Sequence, residues 1–165
     1  MGSGKSVVGK KLAQQIGTEF IDLDQAIEQD KKQSISELFA SRGVIFFRKT
    51  EAEVLRSLIS KDGTMVLATG GGTPCYAQNM DYLLKDEDCR TIYLKASIPT
   101  LTGRLFEERH DRPLIAHLEQ YDQLVEFIGK HLFERAFFYN QSEQIIQTDG
   151  KDVDEVVKEI VATLF

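Results

Sequence analysis

The stretch that most constrains this chain is its first turn. Gly2-Ser3-Gly4-Lys5-Ser6 leads directly into a segment in which Val8, Leu12 and Ile16 recur every four residues, the spacing of one helical face. Glycines ahead of a helix let backbone N–H groups turn inward together, and the helix N-terminus adds partial positive charge. Such a loop is suited to an anion with several oxygens. The string is the last part of the pattern G-x-x-x-x-G-K-[ST], whose lysine reaches the β- and γ-phosphates of a nucleoside triphosphate and whose hydroxyl takes a magnesium ion. Lys5 and Ser6 are the candidates for those roles, with Gly2, Ser3, Gly4 and Val7 completing the nucleotide-binding turn. Short strings of this kind also occur as flexible turns, but the periodic helix behind this one favours the phosphate loop.

The full pattern needs another glycine two places before Met1 and a strand ahead of it. The expectation is a natural chain longer by about ten residues, one strand plus the loop's first turn. That strand would be central in a parallel sheet, and without it the neighbours' apolar flanks and backbone groups would be exposed.

Helical and strand patterns alternate along the rest of the chain, which predicts an α/β fold: three layers, α/β/α, over a mostly parallel five-stranded sheet whose first, central strand is missing from this sequence. Helices are expected over about 5–16, closed by Gly17, then 24–32, a short one opened by the capping-box pattern Ser34-Ile-Ser-Glu37 and ended near Gly43, then 46–60, 98–107, 122–138 and 153–164. Strands are expected over 19–24, 65–69, 91–94 and 144–148. The polar segment 108–113 reads as a mobile surface stretch. In open α/β sheets ligands sit beyond the carboxyl ends of the strands, where Asp22, Asp24 and Gly70-Gly71-Gly72 are placed.

Composition narrows the class. With 165 residues, the chain has room for one domain. A net charge of -6 leaves no diffuse basic field for a phosphate backbone, so nucleic acid is not an expected partner and an anionic substrate must be held by local charges. Cys75 and Cys89 lack the spacing of a zinc site or a disulfide framework. No apolar run reaches the length of a membrane span and the N-terminus lacks the order of a signal peptide, so a cytoplasmic enzyme without a membrane partner is expected.

The acceptor side must be read from other residues. Asp22 and Asp24, two apart in the expected strand, would point both carboxylates to one face, within reach of a metal and a substrate hydroxyl; alternatively Asp24 caps the next helix and Asp22 is a solvated strand end. Arg48 and Glu51, at i and i+3, can pair and so hold a guanidinium ready to fork onto a carboxylate, although an ordinary surface pair would read the same. Three glycines after a buried strand let the backbone approach a ligand. Arg135 and Tyr139 lie one helical turn apart. Arg104, Arg109 and Arg112 flank the polar segment, which is either a closing lid or a solvated charged loop.

Taken in order, MGSGKS, Asp22-Leu-Asp24, Phe47-Arg-Lys-Thr-Glu51, Thr69-Gly-Gly-Gly72, Arg112-Pro-Leu-Ile115 and Arg135-Ala-Phe-Phe-Tyr139 resemble the shikimate kinase family over essentially the whole chain. The resemblance implies a cytoplasmic, usually monomeric enzyme of nucleoside monophosphate kinase type, acting in chorismate and aromatic amino-acid biosynthesis, with ATP as co-substrate and Mg²⁺ as cofactor. It implies one domain over 1–165, with a substrate-binding helical region at about 24–61 and a lid at about 105–119. It makes Ser6 the magnesium ligand and Asp22 its partner, Asp24 the contact to the acceptor 3-hydroxyl and candidate base, and Arg48 and Arg135 the clamp on the shikimate carboxylate. Gly71, between Gly70 and Gly72, would contribute a backbone contact to the ring, Lys5 and Arg112 would stabilise charge on the phosphoryl group, and Arg104 would stack on adenine. The spacing from Arg104 to Arg112 is slightly longer than the family pattern leads one to expect.

Such a set suits phosphoryl transfer, which depends on positioning and on neutralising spread-out charge. A gluconate kinase-like enzyme is the nearest alternative. A catalytically silent nucleotide-binding protein is the alternative from another class.

Overall fold

The structure is a computed structural model and describes residues 2–112 and 114–164. The chain divides into two units, one of Lys5–Thr91 and one of Met1–Gly4 with Ile92–Phe165.

In the first unit, α1 (Lys5–Ile16) buries Val8, Leu12 and Ala13, the face its four-residue spacing predicts. Gly17 ends it with φ of 70°, and the Thr18 N–H closes back on the Ala13 carbonyl at 2.9 Å. Two short strands follow in parallel, β1 (Glu19–Asp22) and β2 (Met65–Ala68), with Glu19 opposite Met65 and Asp22 opposite Ala68. Helix α1 packs on both.

The first strand is shorter than its sequence pattern suggested. It stops at Asp22, because that side chain accepts hydrogen bonds from the backbone N–H groups of Asp24 and Gln25 and so turns Leu23 onward into helix α2 (Leu23–Lys31). Asp24 is therefore a helical residue, and the expectation of two carboxylates on one strand face is corrected: Asp22 is the cap and Asp24 lies in the first turn above it.

A long run, α3 (Ile35–Ile59), opens on the expected capping box, in which Glu37 N–H donates to Ser34 Oγ and Ser34 N–H to the Glu37 carboxylate. It breaks at Gly43, whose φ of 78° and ψ of 173° separate the two helices that the sequence suggests. Leu23, Ile27, Leu38, Phe47, Leu55 and Leu58 form the core between α2 and α3. Each Leu or Ile fully buried there contributes about 1.5–3 kcal/mol. Between β2 and Thr91 lie a 3₁₀ turn, Thr73–Cys75, and a short helix, α4 (Asn79–Lys85), neither of them anticipated from the sequence pattern.

In the second unit, β3 (Ile92–Lys95) runs parallel to β4 (Gln144–Gln147), with α7 (Val153–Leu164) packed on β4. Helix α5 (Ile98–Glu108) starts at a Ser97 cap and packs against α6 (Tyr121–Tyr139). Ala96, Leu101, Leu105, Ile115, Leu124 and Ile128 are buried together. After α5, Arg109–Asp111 forms a 3₁₀ turn and Ile115 is fully buried, while Pro113 of the expected mobile stretch lies outside the described residues.

Among the described residues the four strands pair as β1–β2 and β3–β4, in a chain whose expected central strand is missing from this sequence. A ladder extends only where a further strand offers its N–H and C=O groups, and the described residues contain no fifth strand. No helix among the described residues is long and apolar enough to cross a membrane, and neither cysteine is in a disulfide.

Candidate active site

Asp22 ties two helix starts together. Its Oδ1 caps α2, while its Oδ2 lies 3.3 Å from the Ser6 hydroxyl in the first turn of α1. Gly2 and Gly4, with φ of 73° and 86°, take the left-handed conformations that a phosphate-binding turn requires of its glycines. Val7 is exposed on the first helical turn.

A hydroxyl beside a carboxylate is a set of hard oxygen donors, the kind magnesium takes while keeping several waters. Among the described residues no cluster of three or more His, Cys, Asp or Glu side chains could hold a metal. Ser6 and Asp22 thus fit a magnesium ion that completes its shell with phosphate oxygens and water, and they do not make an all-protein cage.

In the first turn of α2, Asp24 is exposed as a residue while its carboxyl end lies beside Gly70, where a Cβ would fall 3.5 Å from Oδ1. Desolvation there raises its pKa above the ordinary carboxylate value, and the charges of Asp22, Glu51 and Glu28 push the same way, against the lowering pull of Lys5. The result is a carboxylate with a greater appetite for a proton than a free aspartate.

Arg48 and Glu51 do not form a surface pair. Arg48 Nη1 donates to Glu51 Oε2 at 2.7 Å, and Glu51 is 1 % exposed. The guanidinium carbon lies 4.2 Å from the centre of the Tyr76 ring and 5.2 Å from that of Phe47, so both aromatic faces hold the guanidinium in place. The glycine run is packed against this group: a Cβ on Gly72 would fall 2.6 Å from Arg48 Nη2, and one on Gly70 would fall 3.5 Å from both Asp24 Oδ1 and Glu51 Oε1. Asp24, Arg48, Glu51, Gly70 and Gly72 therefore converge on one locality of the first unit, with Gly71 between the two glycines. Tyr76 and Thr73 join them without a sequence signal that singled either out.

The remaining candidates belong to the second unit. Arg104 Nη1 donates to the Gly2 carbonyl at 3.2 Å. Arg112 pairs with Glu108 through Nη2 at 2.6 Å and Nε at 3.1 Å, one helical turn back. Arg109 is occupied locally, stacked 4.1 Å over Phe106 and donating to its carbonyl at 2.5 Å. Arg135 is half-buried on α6, and Tyr139 packs on Tyr93 with ring centres 4.9 Å apart.

A shikimate kinase family model matches residues 1–165. The chain belongs to the shikimate kinase family. The shikimate kinase of Flavobacterium psychrophilum is 42% identical over 165 residues, all of this chain and 95% of the relative. Among solved structures, shikimate kinase from Bacteroides thetaiotaomicron superposes with a TM-score of 0.86 at 31% identity, covering 99% of this chain and 93% of the other. Shikimate kinase from Acinetobacter baumannii, solved in complex with shikimate, gives 0.84 at 30% identity, covering 99% and 88%. The fold is α/β of the P-loop kinase type, and membership in the family makes the chain an ATP-dependent phosphotransferase of the shikimate pathway, with shikimate as the acceptor. Of the alternatives raised by the sequence, neither the gluconate kinase-like enzyme nor the silent nucleotide binder accords with that membership.

Proposed function

We propose that the chain forms 3-phosphoshikimate with Asp24 as the base that accepts the 3-hydroxyl proton and Arg48 as a clamp on the shikimate carboxylate. The observation that carries this reading is the Arg48–Glu51 pair. A buried carboxylate holds the guanidinium beside the Gly72 backbone, a few ångströms from the locality of Asp24. A guanidinium fixed in that way can fork onto a planar carboxylate, and a fixed acceptor acid leaves one hydroxyl to be presented to the base.

Lys5 neutralises the β- and γ-phosphates of ATP, with the backbone N–H groups of Gly2, Ser3, Gly4, Lys5 and Ser6 turned onto their oxygens and Val7 continuing the helix start. Ser6 would hold magnesium directly, with Asp22 behind it. When bound, the ion neutralises phosphate charge and orients the triphosphate. Asp24, its proton affinity raised by its surroundings, orients the hydroxyl in line and takes its proton late in the transfer. The Gly70–Gly72 backbone contacts the ring, through Gly71 in particular. Arg135 supplies the second guanidinium to the carboxylate, Arg112 meets charge developing on the phosphoryl group and Arg104 stacks on adenine; family membership supports these three assignments.

We also assign the segment at about 24–61 to substrate binding and that at about 105–119 to a lid, within one functional domain that acts as a cytoplasmic monomer. The decisive assay supplies ATP, Mg²⁺ and either shikimate or gluconate at equal concentration, and identifies the product by ³¹P NMR. A phosphomonoester formed on shikimate alone is the expected result. Equal or preferred use of gluconate would reject the acceptor assignment.

A further inference from the structure

Glu51 has two carboxylate oxygens, and the mechanism above uses one. The other, Oε1, accepts a hydrogen bond from the Thr73 hydroxyl at 2.8 Å. Both partners are out of contact with water, Thr73 at 0% exposed and Glu51 at 1%. Thr73 is itself held at both ends of its backbone: its N–H donates to the Gly70 carbonyl at 3.1 Å, and its own carbonyl accepts from Asn79 Nδ2 at 2.9 Å. Asn79 is also fully buried. The chain Asn79–Thr73–Glu51–Arg48 thus runs from the start of α4, through the turn after the glycines, to the guanidinium.

We propose that Thr73 is a positioning residue for shikimate binding, setting the Glu51 carboxylate so that Arg48 meets the acceptor's carboxylate in a single orientation. The inference rests on the reading of Arg48 as the carboxylate clamp. A carboxylate that receives one guanidinium N–H on one oxygen can still pivot about its Cγ–Cδ bond; a second donor, fixed by the backbone, removes that freedom. The second bond has a further consequence. Without the Thr73 hydroxyl, Oε1 would be a buried anionic oxygen short of a donor, and the carboxylate would relieve that by rotating, taking the Arg48 fork with it. Gly70 limits where the pair can go, since a Cβ there would already lie 3.1 Å from Thr73 Oγ1 and 3.5 Å from Glu51 Oε1. None of the three side-chain hydrogen bonds that make this chain is donated or accepted by Lys5 or Ser6, the residues read as holding the phosphates. Thr73 should therefore be felt in shikimate affinity and not in ATP affinity.

The test is steady-state kinetics on the full chain for Thr73→Val, Thr73→Ala and Thr73→Ser, with Arg48→Ala and the double variant Thr73→Val/Arg48→Ala in parallel. Thr73→Val keeps the shape and removes the donor. It should raise KM for shikimate about tenfold or more, the size of losing a hydrogen bond to a charged group, with KM for ATP within about twofold. Thr73→Ser should restore KM to within about twofold of the parent. In the Arg48→Ala background, Thr73→Val should add nothing, since the residue it acts through is gone. Thr73→Ala removes the same hydroxyl and serves if the valine does not fold. The proposal is overturned if both donor-less variants keep the parental KM for shikimate, if KM for shikimate and ATP rise together, or if serine fails to rescue. If Arg48→Ala itself leaves the shikimate KM unchanged, the clamp reading is what fails. If Arg48→Ala raises it and Thr73→Val does not, the clamp stands and only the role of Thr73 is lost.

Discussion

Arg48 Nη1 lies 2.7 Å from Glu51 Oε2, and Glu51 is 1 % exposed, so the charge that prepares Arg48 for an acid is itself hidden from water. The pair is costly to break on one side, because the partner left behind keeps a charge in a poorly solvated place. Glu51→Gln should lower stability by about 1.5–3 kcal/mol, the range for hydrogen bonds to charged groups, and raise KM for shikimate about tenfold. Thermal unfolding and kinetics on the same preparation check both halves. Parental stability and KM together would mean that Arg48 is held by something else.

Gly72 gives a substitution that separates shikimate binding from ATP binding. A Cβ there would lie 2.6 Å from Arg48 Nη2 and 3.0 Å from Nη1, atoms that Glu51, Tyr76 and Phe47 hold in place. Gly72→Ala should therefore push the guanidinium away from Glu51 and its aromatic neighbours, costing about 1–3 kcal/mol of stability and raising KM for shikimate several-fold. KM for ATP should not follow. An alanine variant with parental affinity for shikimate would show that Arg48 has another productive placement.

Asp24 carries a linkage between pH and stability whose sign is opposite to that of a salt-bridged aspartate. Its folded pKa is raised above 3.8, by desolvation first and then by the neighbouring carboxylates, so the folded state loses stability as pH rises through that raised value. Below the ordinary aspartate range the group is protonated in both folded and unfolded chains and contributes no difference. Asp24→Asn should thus have a higher Tm than the parent near neutral pH, with the gain shrinking as pH falls toward about 4. Melting curves across that range decide it, and a gain that grows on acidification would contradict the stated cause.

The elements most legible in the sequence were those with local signatures: the spacing of Val8, Leu12 and Ile16, the Ser34–Glu37 box, and Gly17 and Gly43 at helix breaks. The end of β1 was not legible, because strand and helix compete at Asp22-Leu-Asp24 and the contest is settled by Asp22 accepting the N–H groups of Asp24 and Gln25. Helix α4 went unread for a related reason. It is short, and its first residue, Asn79, is committed to the Thr73 carbonyl rather than to a capping pattern that the sequence displays. The site divides in the same way. Lys5, Ser6, Asp24 and Arg48 announce themselves by charge and motif, whereas Thr73 and Tyr76 matter through contacts made across the loop, 22 residues from Glu51 in the one case.

The central claim is that the Asp24 carboxylate takes part in the transfer itself. Single-turnover formation of phosphoshikimate by Asp24→Asn, with ATP, Mg²⁺ and shikimate all saturating, isolates that step from binding and product release. The predicted rate is about 10²–10⁴-fold below the parent's, the usual contribution of a positioned general base. A rate within about threefold of the parent would contradict it.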